Sequence, residues 1–461
     1  MIPWGRIVSR LLRFLALLLF VQTGFAANLK VGLIVEDVTP PIGVPQGGYA
    51  GGKRRIIPWD VFNKYEYATF LRPSTGTLDP IRIKVMVLRR DDKKIAFLSS
   101  DTVGINAEFL KDLVAYLGDA WNPNEIFMGA THSHSGPGGL AKRLMWQLIA
   151  MDRFLPNVYW RTIQQTGDAI LMAYSEATEA ELFATEFKAD GLQKNRRDDH
   201  APMHFDPVAH LVLAKNAQGW LGGMVNFAIH GTSLGEENHL WSADVPGAIE
   251  HSFGKALAKL NGDVDGELPI VFFNGAEGDV KPVNSGLEKM LWIGEEFARQ
   301  ATAAIGKGMR PVEGKWHVET TPVNIGTAKL AIRGCIPQQS IQRLISRNAK
   351  INVGWFNPKE TDVWLIKLGD IHMATWPGEA TTNLGLRLRK MAKTEGINQS
   401  IFLGLTNDYT VYYTDEAEFD FGEYEACISL YGPAGGRRIL EAHEDLLSHN
   451  SQKKGKKPNP A

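Results

Sequence analysis

The sequence predicts an α/β protein, because apolar segments with strand character recur along the chain between segments of helical periodicity. Two pairs of such segments predict β-hairpins: residues 82–89 with 94–99, and residues 361–368 with 371–376. A segment of helical periodicity follows each hairpin. We therefore expect strands and helices to share one α/β unit rather than to form separate all-α and all-β regions.

The remaining elements follow the same alternation. Predicted strands begin near residue 29 and cover residues 126–128, 210–214, 222–230, 268–273 and 400–405. Predicted helices cover residues 107–117, 288–305, 383–393 and most of 140–177, with breaks near Pro156. The order of hairpin, acidic residue and helix occurs near residues 82–117 and again near 361–393, which indicates an internal duplication. No Pro- or Ser-rich linker interrupts the body of the chain, so we expect one large unit from residue 27 to residue 447.

Both ends of the chain have a different character. Arg6, Arg10 and Arg13 precede an apolar run, and Gly24-Phe25-Ala26 places small residues after it, which predicts a signal peptide over residues 1–26 and an exported protein (periplasmic or extracellular). A retained N-terminal anchor is the alternative. Residues 448–461 are polar and basic, and we expect a disordered tail.

Composition limits the class of function. The formal net charge is −1, with 44% hydrophobic and 22% charged residues, and no basic stripe marks a nucleic-acid partner. Cys335 and Cys427 are the two cysteines. They can pair in an oxidising compartment, but two cysteines are not a disulfide framework, so stability must come from the core.

The segment Gly129–Gly139 carries the first chemical signal, with His132 and His134 just after a predicted buried strand. In an extended backbone, residues two apart point to the same side, so both imidazoles are expected to face one cavity. Imidazole is a common metal ligand and a proton carrier near neutral pH. The alternative is a pair of loop histidines whose hydrogen bonds are satisfied locally.

Three other predicted strands end in polar residues. His230, the pair Asn274 and Asp279, and Glu379 follow them. Sites in α/β proteins lie beyond strand ends, and two histidines with a carboxylate are a common catalytic zinc set. His230 can instead be a core histidine, and Glu379 can cap the next helix. Asp279 and Asp101 can each orient a ligand histidine or bind backbone amides.

Seven motifs, in a fixed order, extend from the first third of the chain almost to the tail. They are THSHSGPGG (131–139), NRR (195–197), NFAIHGTSL (226–234), GDVKP (278–282), PGEATTNLGLRLR (377–389), NDYTVYYT (407–414) and YEACISLYGP (424–433). Through these motifs the chain resembles the catalytic domain of the neutral (non-lysosomal) ceramidase family, which has THTHSGPGG, PGEFTTMSGRRLR and YEGASTLYGP at the corresponding places.

The resemblance implies a large hydrolase domain of mixed sheets with helices packed on them. It implies a zinc amidase that cleaves the N-acyl bond of ceramide or a related lipid, with peripheral membrane contact. Carried over residue by residue, the zinc ligands are His132, His230, Glu379 and Tyr412, while His134 and Arg196 bind or polarise the reacting amide. Tyr409 or Tyr413 replaces Tyr412 if the register differs by a few residues.

Two departures from the family pattern keep other functions open. Lys281 stands where the family motif GDVSPN has a serine beside the zinc, so we assign Lys281 to the catalytic region as a neutral amine, an outward-facing side chain or a ligand for an anionic substrate group. Because the sequence ends soon after the YGP motif, we expect no counterpart of the family's C-terminal immunoglobulin-like domain in it. The alternatives are a metal hydrolase of a polar amide, ester or sugar derivative, and a non-catalytic binding protein that retains zinc.

Overall fold

The computed structural model describes residues 29–49, 52–57, 59–197, 204–336, 344–346 and 349–455. The predicted signal peptide, residues 1–26, lies outside the described residues, as do Asp198 and Asp199 of the predicted polar loop. Within the described part of the chain, no helix has both the length and the apolar character that crossing a bilayer requires.

Strands and helices alternate along the chain. The strands are β1 (Lys30–Asp37), β2 (Gly76–Thr77), β3 (Arg82–Arg90), β4 (Lys93–Ser100), β5 (Ile126–Ala130), β6 (Thr178–Glu179), β7 (Glu181–Lys188), β8 (Gln193–Asn195), β9 (Val208–Asn216), β10 (Gly219–Phe227), β11 (Leu240–Trp241), β12 (Ile270–Asn274), β13 (Val280–Pro282), β14 (Arg310–Pro311), β15 (Trp316–Asn324), β16 (Lys329–Ala331), β17 (Lys350–Asn352), β18 (Glu360–Leu368), β19 (Ile371–Thr375), β20 (Glu379–Ala380), β21 (Gln399–Leu403) and β22 (Tyr412–Tyr413). The helices are α1 (Ala107–Leu117), α2 (Pro156–Ser175), α3 (Asp244–Leu260), α4 (Leu287–Lys307), α5 (Thr382–Thr394), α6 (Glu416–Phe421), α7 (Glu423–Ile428) and α8 (Gly432–Gly455).

Three mixed sheets share one topology. The strand orders are β5-β4-β3-β1-β6 in the first sheet, β12-β10-β9-β7-β14 in the second and β15-β18-β19-β21 in the third. In each sheet three strands pair in antiparallel succession, and a helix (α1, α3 or α5) then leads to a fourth strand parallel to the third. Residues 82–117 and 361–393, whose similar order of elements indicated an internal duplication, therefore belong to two of three units with the same topology.

The three sheets pack around one apolar core. Phe97 and Phe127 of the first sheet have ring centroids 5.6 Å apart, and Phe273 of the second and Trp364 of the third lie 6.2 Å and 6.4 Å from Phe97 and Phe127, respectively. The larger helices cover the outer faces of the sheets. The predicted α/β class with helices packed on mixed sheets is confirmed.

One predicted break is confirmed, and one predicted boundary differs from the structure. The helical prediction for residues 140–177 included a break near Pro156, and a short helical and π-helical segment over residues 144–151 does end just before Asp152, which adopts φ +60°. The Asp152 carboxylate accepts hydrogen bonds from the amides of Thr69, Phe70 and Leu71, so the chain turns there before α2 begins at Pro156. At the other end α8 extends to Gly455, so the tail boundary predicted at Ser448 lies inside a helix.

Cys335 and Cys427 form a disulfide, which resolves the pairing that the sequence left open. It joins a short 3-10 helix that follows β16 to helix α7. Because α7 also carries Glu425, this disulfide fixes the helix that contains this glutamate.

In each of the three sheets, the third and fourth strands of the shared topology are parallel, and their carboxyl ends meet in one region, as expected for α/β proteins. Asn274, at the end of β12, donates to the Thr131 carbonyl at 2.9 Å and accepts from the Ile229 amide at 3.1 Å. Asn407, beyond β21, accepts from the Met128 amide at 2.8 Å. These side-chain bonds hold loops from all three sheets side by side.

Candidate functional site

Two histidines and one glutamate meet at the centre of this region. The Oε2 atom of Glu379 lies 3.2 Å from Nε2 of His132 and 3.2 Å from Nε2 of His230. The two imidazole centroids are 4.5 Å apart, and the side chains of all three residues are about 1% exposed. Three candidate metal ligands that follow different predicted strands in the sequence thus converge on one buried point.

His132 reaches this point through an unusual backbone conformation. It has φ +63°, so the expected extended geometry of the H-x-H segment was wrong, although Nε2 of His132 and Nε2 of His134 still lie 3.2 Å apart. Its Nδ1 hydrogen-bonds with the Val103 carbonyl at 2.6 Å, which fixes the ring and leaves Nε2 towards Glu379. Strain of this kind persists where surrounding contacts enforce it, and functional sites are a common location.

The His132 and His230 loops run in contact because Gly231 has no side chain. Ser133 and Gly231 form an isolated parallel bridge, and the His134 amide donates to the Gly231 carbonyl at 3.0 Å. A Cβ atom at Gly231 would lie 2.7 Å from Cα of Ser133, which is closer than packing allows. The glycine therefore sets the distance between the two histidine-bearing loops.

Glu379 is a site residue rather than a helix cap. The N-cap of α5 is Thr381, and the Tyr409 hydroxyl donates a hydrogen bond to Glu379 Oε1. Burial alone would raise the pKa of Glu379, but the adjacent imidazoles of His132 and His230 favour its carboxylate form and hold this pKa well below its ordinary value. The group is therefore a carboxylate whose Oε2 atom faces the two imidazoles.

Among the three tyrosines considered from the sequence, Tyr412 lies nearest a predicted histidine ligand. Its hydroxyl is 3.3 Å from Nε2 of His230 and accepts a hydrogen bond from Arg196 Nη2 at 2.9 Å. Tyr409 contacts Glu379 instead, and the Tyr413 hydroxyl bonds to Thr410 within the core. The register that pairs Glu379 with Tyr412 in β20 and β22 brings these two side chains to the same site.

Arg196 lies beside the cluster, and an ion pair with Glu425 fixes its position. Its Nη2 atom is 3.5 Å from Nε2 of His230 and also donates to the Gly278 carbonyl. Its Nε atom forms an ion pair of 2.6 Å with Glu425, which also pairs with Arg197. The guanidinium is thereby fixed with one edge towards the cluster.

The sequence interpretation missed Glu277, the third residue after β12. This buried carboxylate belongs to the group of potential ligand atoms that includes His132, His230 and Glu379, all within 4.8 Å of one another. Neither of its oxygens has a hydrogen-bond partner among the described residues, and burial together with the charge of Glu379 raises its pKa well above the ordinary value. The segment NGAEGDVKP places this glutamate between Asn274 and Asp279, beyond the end of the same predicted strand.

The two aspartates left open by the sequence have supporting roles. Asp279 accepts hydrogen bonds from Asn195 Nδ2 at 2.7 Å and from the Thr382 amide at 2.8 Å, so it fixes the Asn195–Arg197 loop against α5. Asp101 pairs with Lys84 Nζ at 2.6 Å in the interior of the first sheet. No contact of either carboxylate with His132 or His230 is present among the described residues.

A cavity of about 840 Å³ opens onto the cluster. One part of its lining is apolar and consists of Val103, Trp146, Ile149, Ala150, Val411 and Ile428. The predicted site residues His132, His134, Arg196, His230, Lys281, Glu379 and Tyr412 all line the same cavity. An apolar wall with a few convergent polar groups is typical of a small-molecule site.

The donor set fits a divalent cation such as zinc. Oε2 of Glu379 is buried without a hydrogen bond, although two imidazole nitrogens lie 3.2 Å away. Burial, with the charges of Arg196 and His132, lowers the pKa of His230 to about 4, so this imidazole is neutral at pH 7 and keeps a free lone pair. Imidazole nitrogens with carboxylate and phenol oxygens suit zinc. Metal binding itself remains a prediction.

Fold and site together define an α/β protein with a candidate metal centre at the carboxyl ends of its strands. The sequence matches the family model described as neutral/alkaline non-lysosomal ceramidase, N-terminal, over residues 62–290 and 334–439. These ranges include every predicted site residue and most of the described chain. The chain therefore belongs to the neutral/alkaline non-lysosomal ceramidase family.

Relatives in several organisms show the extent of the similarity. The neutral ceramidase of Mycobacterium tuberculosis is 23% identical over 477 residues, covering 84% of this chain and 75% of that protein. The neutral ceramidase of Pseudomonas aeruginosa is 22% identical over 408 residues, covering 71% of this chain and 60% of that protein. The neutral ceramidase of Drosophila pseudoobscura is 22% identical, covering 95% of this chain and 76% of that protein.

Solved structures share the fold. The crystal structure of neutral ceramidase from Pseudomonas aeruginosa superposes with a TM-score of 0.76 at 18% identity, covering 93% of this chain and 75% of that one. A structure of ceramidase complexed with C2 gives the same TM-score and identity, covering 93% of this chain and 76% of that one. At this level of identity the similarity establishes the architecture.

Proposed function

We propose that this protein is a zinc-dependent amidase that hydrolyses the N-acyl bond of ceramide or a related N-acyl lipid. The observation that carries the proposal is the buried His132–His230–Glu379 cluster, which faces a cavity with an apolar wall. The relatives named neutral ceramidase support the same reaction class. An acyl chain fits the apolar wall, and its amide then lies near the polar cluster.

In this proposal His132, His230, Glu379 and Tyr412 hold the zinc. When bound, zinc supplies Lewis-acid polarisation of the amide carbonyl and lowers the pKa of a water molecule. Tyr409 keeps Glu379 oriented through its hydrogen bond to Oε1, which leaves Oε2 for the metal.

His134 is the proposed proton carrier. Burial, followed by the charges of His132 and His230, lowers its pKa well below the ordinary value, so the imidazole is neutral and can accept a proton. The Tyr49 ring packs edge-on at a centroid distance of 4.6 Å and limits rotation of the His134 ring. His134 accepts a proton from the attacking water and passes it to the leaving nitrogen.

Arg196 is the proposed stabiliser of the negative charge that develops on the amide oxygen. Its guanidinium lies beside Tyr412 and His230, and its ion pair with Glu425 limits reorganisation during the reaction. Lys281 lines the same cavity.

We also propose export and a peripheral contact with membranes. The Cys335–Cys427 disulfide supports an oxidising compartment, in agreement with the predicted signal peptide. The rim segment (residues 52–57 and 59–64), which contributes Gly52 and Arg55 to the cavity lining, exposes large apolar side chains: Ile57, Trp59, Val61 and Phe62. Exposed aromatic and aliphatic residues beside basic ones are typical of proteins that dip into a lipid surface.

The first test measures metal content and hydrolysis of a fluorescent short-chain ceramide together. Wild type, His132→Ala and the control His251→Ala are compared; His251 is half-exposed and pairs with Glu267 away from the cavity. We expect stoichiometric zinc and turnover in wild type and in His251→Ala, and loss of both in His132→Ala. Zinc without turnover of any N-acyl substrate would contradict an amidase and favour a binding role.

A further inference from the structure

Lys281 is a cation in the cavity whose charge is not balanced by any residue that the structure describes. It lies on β13, lines the cavity and is half-buried. Its ammonium makes no hydrogen bond or ion pair with any of the described residues. A half-buried ammonium without a partner is costly, and such groups are usually paired. An anionic ligand would supply the missing partner.

A second lysine lies directly across the ribbon. In the antiparallel pair of β8 and β13, Lys281 is opposite Lys194, so both side chains leave the same face. Lys194 is also half-buried, and its ammonium likewise makes no ion pair with the described residues. Like charges directly opposite one another are unfavourable unless a counter-charge lies near them. Within the described part of the chain, the ribbon therefore presents two uncompensated positive charges, one of them at the cavity wall.

The other charged side chains of the cavity are already engaged. Arg196 pairs with Glu425, Arg55 donates to the Leu148 carbonyl, and Glu236 accepts from the Lys53 amide. Glu379 faces the two histidines. Among the described lining residues, cations outnumber carboxylates by three to two, and a divalent cation at the cluster would increase this excess. The field in the cavity therefore favours an anionic ligand.

The apolar wall of the cavity indicates which part of the substrate carries the negative charge. Trp146, Ile149 and Ile428 offer an acyl chain a surface without charge. Because an acyl chain is itself uncharged, an anionic group that reaches Lys281 must belong to the amine portion of the amide. The compound then has a fatty acyl chain on one side of the amide and a negative charge on the other.

We propose that Lys281 makes this protein selective for N-acyl compounds whose amine portion is anionic, with a long-chain N-acyl amino acid as the model substrate. The inference rests on the proposed amidase function and deepens it by naming the substrate class. Water cleaves the carbon–nitrogen bond: hydroxyl joins the acyl carbon, a proton joins the nitrogen, and a fatty acid and an amino acid leave. Lys281 binds the carboxylate as a specificity residue, and Lys194 adds to the field.

The test compares N-lauroylglycine with N-lauroylethanolamine, which share the acyl chain and differ in carboxylate against hydroxyl. We expect wild type to favour N-lauroylglycine in kcat/KM by at least about tenfold, the scale of one charge-assisted contact. Lys281→Gln should lose this preference, mainly through a higher KM for N-lauroylglycine. Lys281→Arg should keep the preference, and so should the control Lys255→Gln, an exposed lysine on α3.

The outcomes separate this inference from the proposed function. Equal hydrolysis of both compounds by wild type, or an equal effect of Lys281→Gln on both, would overturn the inference and leave the amidase standing. If wild type hydrolyses neither compound, calorimetric binding of the same two compounds decides the matter. Charge-dependent binding that Lys281→Gln abolishes would support the inference while contradicting the amidase, and equal binding would overturn the inference.

Discussion

Glu425 holds Arg196 in place, with 2.6 Å between Oε1 of the glutamate and Nε of the arginine. Its other oxygen accepts a hydrogen bond from Arg197 Nε at 2.8 Å. Burial alone would raise the pKa of Glu425, but the charges of Arg196 and Arg197 outweigh burial and hold the pKa below its ordinary value. One carboxylate thus neutralises two adjacent guanidiniums and directs the first of them towards Tyr412 and the histidines.

We expect Glu425→Gln to lower both the stability and the turnover of the protein. Arg197 is about 1% exposed, and loss of its counter-charge should cost about 3 kcal/mol in the free energy of unfolding. Turnover should fall at least about tenfold at a temperature where the variant is folded, because Arg196 loses its fixed orientation. Urea denaturation and steady-state kinetics measure the two effects.

The control for that variant is Glu444→Gln, an exposed glutamate on α8. This variant should leave both the free energy of unfolding and the turnover unchanged. Unaltered turnover in a folded Glu425→Gln variant with normal zinc content would show that Arg196 needs no support from Glu425.

Glu277→Gln should weaken zinc binding while leaving the metal-free protein intact. The pKa of Glu277 is raised well above its ordinary value by burial and by Glu379, so the metal-free protein already carries a neutral side chain that glutamine can mimic. Only when a dication is present does the carboxylate become favourable, so zinc affinity should fall by about 10- to 100-fold.

Chelator competition gives the zinc affinity of the Glu277→Gln variant, and thermal unfolding with and without zinc gives the linked stabilisation. Glu267→Gln, at a surface ion pair with His251, serves as the control. If Glu277→Gln binds zinc as tightly as wild type does, Glu277 has no part in the metal centre.

Local elements of the fold could be predicted from the sequence because local patterns determine them. Helix α1 has the predicted bounds since Phe109, Leu110, Leu113 and Leu117 recur at helical spacing and form its buried face. The two hairpins follow from alternation around short turns and pair as expected. The strand-end residues His132, His230 and Glu379 were also predictable, because each is a polar residue that follows an apolar segment of the sequence.

The arrangement of the three sheets could not be predicted in this way. Contacts such as those of Phe127 with Trp364 and of Asn274 with Thr131 join residues far apart in sequence, and no local pattern records them. Glu277 escaped notice for the same reason, since only the folded chain brings its carboxylate to Glu379. The left-handed conformation of His132 depends on the Val103 carbonyl and the Gly231 loop, neither of which lies nearby in sequence.

Trp59→Ser together with Phe62→Ser should weaken association with lipid vesicles. Phe62 is 89% exposed and Trp59 is 53% exposed, and burial of both rings in a membrane interface should contribute about tenfold to partitioning. Vesicle co-sedimentation measures the change, and hydrolysis of a soluble short-chain substrate should stay the same.

Trp355→Ser is the matched control for the rim variant, since Trp355 is 88% exposed and lies outside the rim segment. It should leave vesicle binding unchanged. If both variants sediment with vesicles as wild type does, the rim segment has no role at the membrane.

The Glu418→Gln substitution should remove the part of the pH dependence of the free energy of unfolding that comes from ionisation of Glu418. Burial, followed by the charge of Asp279, raises the pKa of Glu418 to about 8, and the side chain accepts hydrogen bonds from Thr381 and from the Asp415 amide. Because the folded pKa exceeds the unfolded value of about 4.5, Glu418 contributes stability below pH 4.5 that is lost as pH rises through 8.

Glutamine keeps the capping hydrogen bond and cannot ionise, so the Glu418→Gln variant should gain stability relative to wild type between pH 5 and pH 9, by on the order of 3 kcal/mol. Urea denaturation at pH 5, 7 and 9 measures this gain. Glu416→Gln, at an exposed position in the first turn of the same helix α6, should follow the wild-type profile. Parallel profiles for Glu418→Gln and wild type would mean that Glu418 is already ionised in the folded protein at neutral pH.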